Sequence, residues 1–150
     1  MIPLIVLVVA ILVFRGLGAW RLLSLDSWPA ATRAGLAVMF CFTAMAHFTA
    51  MRHDLVKMVP AWVPNPELVI YLTGICEIAG GLGLLFPRTR RIAAVALILF
   101  LIAVFPANVH AAQAGVLLRG QPATPLVPRA LMQLGFIALT WWSGFLAARR

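Results

Sequence analysis

The amino-acid sequence predicts an all-α membrane protein, a bundle of apolar helices joined by short connectors. Of its 150 residues 63% are hydrophobic and only 11% charged. The mean hydropathy is +1.01, far outside the range of a soluble domain. At about 20 residues per bilayer crossing, the chain has room for four or five helices and no soluble catalytic domain, so any chemistry happens in or beside the bilayer.

The first helix is expected from the unbroken apolar run Ile2 to Phe14, extended through Arg15 towards Leu23. No basic residue precedes it and no small-residue cleavage site follows, which reads as a retained helix in preference to a cleaved signal peptide. Ser24 to Thr32 is expected as a connector, with Trp20 and Trp28 at the headgroup level. A second span is expected from Arg33 to Met51. The segment Arg52 to Pro66, broken by Pro60, Pro64 and Pro66, reads as a short amphipathic piece and an interfacial or re-entrant loop.

The third span, Glu67 to Phe86, carries Glu77 among small residues at its middle. The basic turn Arg88, Thr89, Arg90, Arg91 leads into a fourth span, Ile92 to Ala112, with Pro106 inside it. A polar, Pro-containing connector over 115–128 precedes a fifth span, Arg129 to Ala147.

The net charge of +8 sits mainly at helix ends, where it signals topology and headgroup contact and not nucleic-acid binding. With five spans, one side of the membrane holds Arg15, Arg21, Arg33, Arg88, Arg90, Arg91, Arg149 and Arg150, and the other holds Arg52, Lys57, Arg119 and Arg129. The positive-inside rule makes the first side cytoplasmic, with the N-terminus outside and the C-terminus inside.

Under that topology six polar residues share the outer half of the bilayer: His47, Glu77, Asn108, His110, Arg129 and Gln133. Glu77 lies ten residues past Glu67, about 15 Å deeper at helical rise. Helical spacing places Phe40, Thr43, Ala44, His47, Met51 and Asp54 on one face of the second helix. It places Thr73, Gly74, Glu77, Gly80, Gly81 and Leu84 on one face of the third, and Arg129, Gln133, Phe136 and Thr140 on one face of the fifth. Small residues beside polar ones are what allow helices to approach closely in lipid, so these faces are expected to point inward. A glutamate at that depth either takes a proton or pairs with a cation. Two expectations stand side by side: a pocket for a polar headgroup, quinone ring or proton, and polar glue between helices.

Haem between His47 and His110 is disfavoured because neither HxxxH nor CxxCH spacing is present, and no metal site is expected. Cys41 and Cys76, both inside apolar runs and neither in a CxxC, are expected as inert buried thiols. A thiol relay is open only because they share a depth and Glu77 adjoins Cys76.

Four blocks carry a resemblance: His47-Phe48, MVPAWVP at 58–64, TGICEIAGGLGLLFPRTRRIAA at 73–94 and FPANVHAA at 105–112. Together they resemble the DoxX-like family of small bacterial membrane proteins. The resemblance implies a four-helix transmembrane bundle over 33–147, with 1–23 as an additional N-terminal transmembrane helix, in a bacterial inner membrane. It implies a redox setting, since members are associated with a thiosulfate:quinone oxidoreductase subunit, with maturation of methylamine dehydrogenase and with oxidant stress. Its polar signature falls on His47, Glu77, Asn108 and, more loosely, Arg129 and Gln133.

The expectation is therefore a subunit or accessory of a membrane redox system with an outward-facing pocket for a quinone-like ligand. The alternatives are a non-catalytic membrane subunit or assembly factor docking a larger complex, and a binder of a lipid-like molecule. Partners would be the bilayer and another membrane protein, and an autonomous enzyme is not implied.

Overall fold

The computed structural model describes residues 2–20, 25 and 27–145. Arg21, Arg149 and Arg150 of the charge count, and the expected helix ends over 21–23 and 146–147, lie outside the described residues. The described chain holds six helices: α1 (Ile2–Ala19), α2 (Trp28–Phe48), α3 (Arg52–Met58), α4 (Pro66–Gly83), α5 (Arg90–Gln113) and α6 (Leu126–Gly144). Between α5 and α6 lies a two-stranded antiparallel hairpin, β1 (Leu117–Leu118) and β2 (Gln121–Pro122). Three helices, α1, α2 and α5, are long and apolar enough to cross a membrane. Helices α4 and α6 have 18 and 19 residues, but Glu67 and Glu77 in the one, and Arg129 and Gln133 in the other, make them more polar.

Helix α2 is the central post, packed against α1, α4 and α6, while α5 packs on α4 and α6. It begins at Trp28, not at the expected Arg33. The Ser27 side chain accepts a hydrogen bond from the Ala30 N–H at 3.4 Å and Pro29 occupies the first turn, a helix-start signature that absorbs most of the expected connector. It ends at Phe48, where Thr49 turns to extended backbone. Met51 and Asp54 therefore leave the face they were expected to share with His47, and Asp54 belongs to α3. Helix α5 runs unbroken through Pro106.

Glycines set the spacing at two crossings. A Cβ on Gly74 of α4 would lie 2.7 Å from the His47 Cβ and 2.9 Å from the Phe48 ring. On Gly80 it would lie 2.5 Å from a Leu97 methyl. The core follows from this approach: Leu36, Met39 and Phe40 of α2, Leu84, and Ala93, Ala94 and Leu97 of α5 are all buried. Where α4 meets α5, the Thr89 hydroxyl donates to the Gly83 carbonyl at 2.8 Å, supplying a partner to one of the carbonyls left over at a helix end.

One end of the bundle is closed by α3 and the hairpin. Arg119 and Gly120 have φ of 52° and 74°, the two positive values that a tight two-residue turn requires and that let the expected 115–128 connector fold back. Met58, Ala111 and Val116 form a small second core beneath it. Asp54 ties the cap together: one carboxylate oxygen accepts from the Arg119 backbone N–H at 3.0 Å and the other from Lys57 Nζ at 3.0 Å. The Arg119 N–H first, and then Lys57, hold the Asp54 carboxyl below the usual carboxylate range.

Two predictions follow from this packing. Gly74→Val should destabilise the bundle by about 2 kcal/mol through overpacking, whereas Gly135→Ala, where an added Cβ meets nothing within 4 Å, should not; thermal unfolding in detergent separates them. Because the Asp54 pKa is depressed in the folded state, its stabilisation is present above the ordinary carboxylate pKa and is lost as pH falls through the folded value. The difference in melting temperature between the native chain and Asp54→Asn should accordingly be seen at neutral pH and vanish in acid.

Candidate functional site

The small residues of α4 bring Glu77 against α2, and the carboxylate meets two side chains there. The Thr43 hydroxyl stands 3.1 Å from Glu77 Oε1 and 3.1 Å from each of the Met39 and Phe40 carbonyls, so its one hydrogen has three acceptors in reach, the carboxylate among them. His47 Nε2 stands 3.3 Å from Glu77 Oε2, an ion-pair distance without the alignment of a hydrogen bond, so buried Oε2 has no hydrogen-bond partner.

The other imidazole nitrogen fixes the tautomer. His47 Nδ1 lies 2.8 Å from the Ile70 carbonyl, which can only accept, so Nδ1 carries a hydrogen. Thr73 completes the arrangement: its hydroxyl donates to the same carbonyl at 2.8 Å and stands 3.1 Å from Nδ1. With Nδ1 committed as a donor, neutral His47 turns the lone pair of Nε2 towards Glu77, and protonated His47 turns a cation towards it. The pair is an acid and a base at ion-pair distance, and both side chains are nearly buried, at 13% and 11% exposure.

Thr43 and Thr73 lie on the expected faces but are not among the six expected site residues. Each sits four residues before an ionisable group, at 47 and 77, which is the helical spacing that stacks side chains on one face; that spacing was the available signal.

The remaining expected residues form other groups. Arg129 Nη1 donates to Asn108 Oδ1 at 2.7 Å, Asn108 Nδ2 donates to Gln133 Oε1 at 3.2 Å, and Gln133 Nε2 donates to the Leu101 carbonyl at 2.8 Å. This is a one-way chain of hydrogen bonds between α5 and α6. His110 belongs to neither group: its Nδ1 lies 3.1 Å from the Met58 carbonyl, pinning α5 to the end of α3. Among the described residues no hydrogen bond or ion pair joins these groups to His47 and Glu77, so the six expected residues are divided among three separately bonded groups.

Cys41 is half-buried and Cys76 exposed, and both are free thiols; Cys76 thus turns away from the seam that buries its neighbour Glu77. Among the described residues no group of three or more His, Cys, Asp or Glu side chains is placed to hold a metal ion.

Removing one member of the couple is expected to cost more than removing its hydroxyl neighbour. His47→Ala leaves a nearly buried carboxyl without its cation or base and should destabilise by about 3 kcal/mol. Thr43→Ala removes one hydrogen bond and should cost about 1 kcal/mol. Chemical unfolding of the two purified variants checks the ranking.

Compared with known proteins, residues 36–144 match the family model described as "Domain of unknown function (DUF8561)". No curated protein and no solved structure matches the chain. The matched stretch opens inside α2 and closes at the last residue of α6, taking in Thr43, His47, Thr73 and Glu77 as well as the Arg129 chain, and leaving α1 outside. As the stretch is more than half of the chain, the protein belongs to the DUF8561 family.

Proposed function

We propose that this chain is a five-span bacterial inner-membrane protein, similar to the DoxX-like proteins, that serves a membrane redox system as a subunit or accessory. The His47–Glu77 couple is its proton-exchanging contact to a quinone-like ligand. In this reading α1, α2, α4, α5 and α6 cross the bilayer, with α1 as an addition to a four-helix bundle. The end carrying Arg15, Arg33, Arg88, Arg90 and Arg91 faces the cytoplasm, and the end capped by α3 and the hairpin faces outward. Exposed Trp20, Trp28 and Trp141 towards one end and Trp62 at the other suit two headgroup regions.

One observation carries the ligand assignment: Glu77 Oε2 is buried beside His47 Nε2 and has no hydrogen-bond partner. A buried oxygen left open in this way is costly, and a ligand hydroxyl or carbonyl entering the α2–α4 seam would relieve it. As a quinone gains two electrons and two protons, the couple passes on one proton, and water at the outward-facing end supplies the second and reprotonates the couple. The electrons come from a redox partner protein.

A second reading, a non-catalytic assembly factor, is favoured by a different observation. Two surface grooves are apolar, both adjoin α1, and neither is lined by His47 or Glu77. The two readings separate on binding of a short-chain quinone analogue to the purified chain. Glu77→Gln and His47→Ala should each weaken binding by about tenfold or more while the variants remain folded; unchanged affinity in both refutes the quinone contact and leaves the assembly factor.

A further inference from the structure

Three helix ends meet at the end of the bundle opposite the hairpin: the start of α2, the start of α5 and the close of α6. Arg33, in the second turn of α2, donates through Nη1 to the carbonyl of Ser143, the next-to-last residue of α6. The last residue, Gly144, lies so close to α5 that an added Cβ would stand 2.7 Å from the Ala94 Cβ. Ala94 is one turn along the same face from Arg90, the first residue of α5. Arg90 is therefore carried to the same corner as Arg33, where the two like charges bear on each other. Both arginines are partly withdrawn from solvent, whereas Arg88 and Arg91 beside them are exposed.

The donors gathered here outnumber the acceptors that meet them. Among the described residues no ion pair involves either arginine; Glu77 is placed beside His47 and Asp54 beside Lys57. Arg90 Nε is buried without a hydrogen-bond partner, and so are Ser143 Oγ and Thr140 Oγ1. Ser143 and Thr140 are both at 0% exposure, one turn apart on the stripe of α6 that also carries Gln133 to α5. Neither hydroxyl takes the bond to the carbonyl four residues earlier that a helix leaves open to it. The positive end of the α5 macrodipole adds to the two guanidiniums. Water would satisfy the hydroxyls and leave the charges uncompensated. A tetrahedral oxyanion offers several acceptors and a counter-charge at once, which suits the fork of a guanidinium.

We propose that Arg33, Arg90 and Ser143 form a site for a phosphate group at this end of the bundle, with the guanidiniums on its oxygens and the Ser143 hydroxyl as a further donor. The group belongs to an anionic phospholipid headgroup or to dissolved phosphate, since the same donors serve both. The site is distinct from the His47–Glu77 couple and does not rest on the quinone reading. Two residues give clean handles on it. Ser143→Ala removes a hydroxyl that bonds to nothing in the protein, and Arg90→Gln removes an Nε that bonds to nothing either, so both variants keep the bonds that hold the bundle. Arg33→Gln would also break the bond to the Ser143 carbonyl and is the less informative change.

The test has two arms on the delipidated full chain in neutral detergent: inorganic phosphate by titration calorimetry, and phosphatidylglycerol against phosphatidylcholine by native mass spectrometry. The native chain should bind phosphate saturably, or prefer phosphatidylglycerol, or do both. In the arm that responds, Arg90→Gln should weaken binding by about tenfold and Ser143→Ala by about threefold. Arg91→Gln, which removes an exposed charge at the same end, should leave it unchanged, as should Glu77→Gln, which keeps this outcome separate from that of the quinone contact. Phosphate binding with no preference between the lipids assigns dissolved phosphate. A phosphatidylglycerol preference that millimolar phosphate does not displace assigns the headgroup, and mutual competition places both at the one site. No response in either arm overturns the proposal, and so do equal losses in Arg90→Gln and Arg91→Gln, the mark of diffuse surface charge. If Arg90→Gln does not fold, undiminished binding by Ser143→Ala is sufficient to overturn it.

Discussion

A carboxyl group withdrawn from water must be given a partner, and in this chain that requirement governs how the central helices meet. Glu77 is buried midway along α4, and its partners are both on α2. Reaching them demands that the two helices touch closely, which Gly74 permits by having no Cβ to strike His47 and Phe48. The polar couple and the small residue beside it are one solution: the glycine closes the gap, and the closed gap excludes the water that would otherwise solvate the acid. Much of the apolar core, from Phe40 to Leu97, lies around that crossing.

The two polar groups in the bundle work on opposite principles. Between α2 and α4 two ionisable groups face each other, a ring whose tautomer is set from behind by the Ile70 carbonyl and a carboxyl group that can give or take a proton. Between α5 and α6 the hydrogen bonds all run one way, from Arg129 through Asn108 and Gln133 to a backbone carbonyl. There the donors and acceptors are fixed by chemistry, because an arginine cannot accept and a carbonyl cannot donate. The first arrangement suits exchange and the second suits holding a charge still.

Much of the helical order could be read from apolar runs and their punctuation, and the pairing of His47 with Glu77 followed from depth and face. Other features were hidden for identifiable reasons. Ser27 and Pro29 are a strong helix-start signal inside a stretch whose Asp26, Ser27 and Pro29 looked like a connector. The hairpin is too short for strand periodicity, and its turn is visible only as Arg119-Gly120. Depth is a single coordinate, so it could not tell which of the six polar residues bond to one another, and they form separate hydrogen-bonded groups. His110 and Asn108 are two positions apart on α5 and so point in different directions, one to the Met58 carbonyl and the other to α6. Met51 and Asp54 were misplaced because a helical face was extended past Thr49, where the backbone had already left the helix.

The bond from Arg33 Nη1 to the Ser143 carbonyl, 2.9 Å long, joins residues 110 positions apart. A chain made from its N-terminus has Arg33 long before it has Ser143, so this arginine lacks that acceptor until α6 has been made. Arrival of the last helix supplies the missing carbonyl, and only then can the base of the bundle lock. Truncation before residue 143 would thus take away the acceptor of Arg33 Nη1 and with it the one hydrogen bond that, among the described residues, ties the start of α2 to the end of α6.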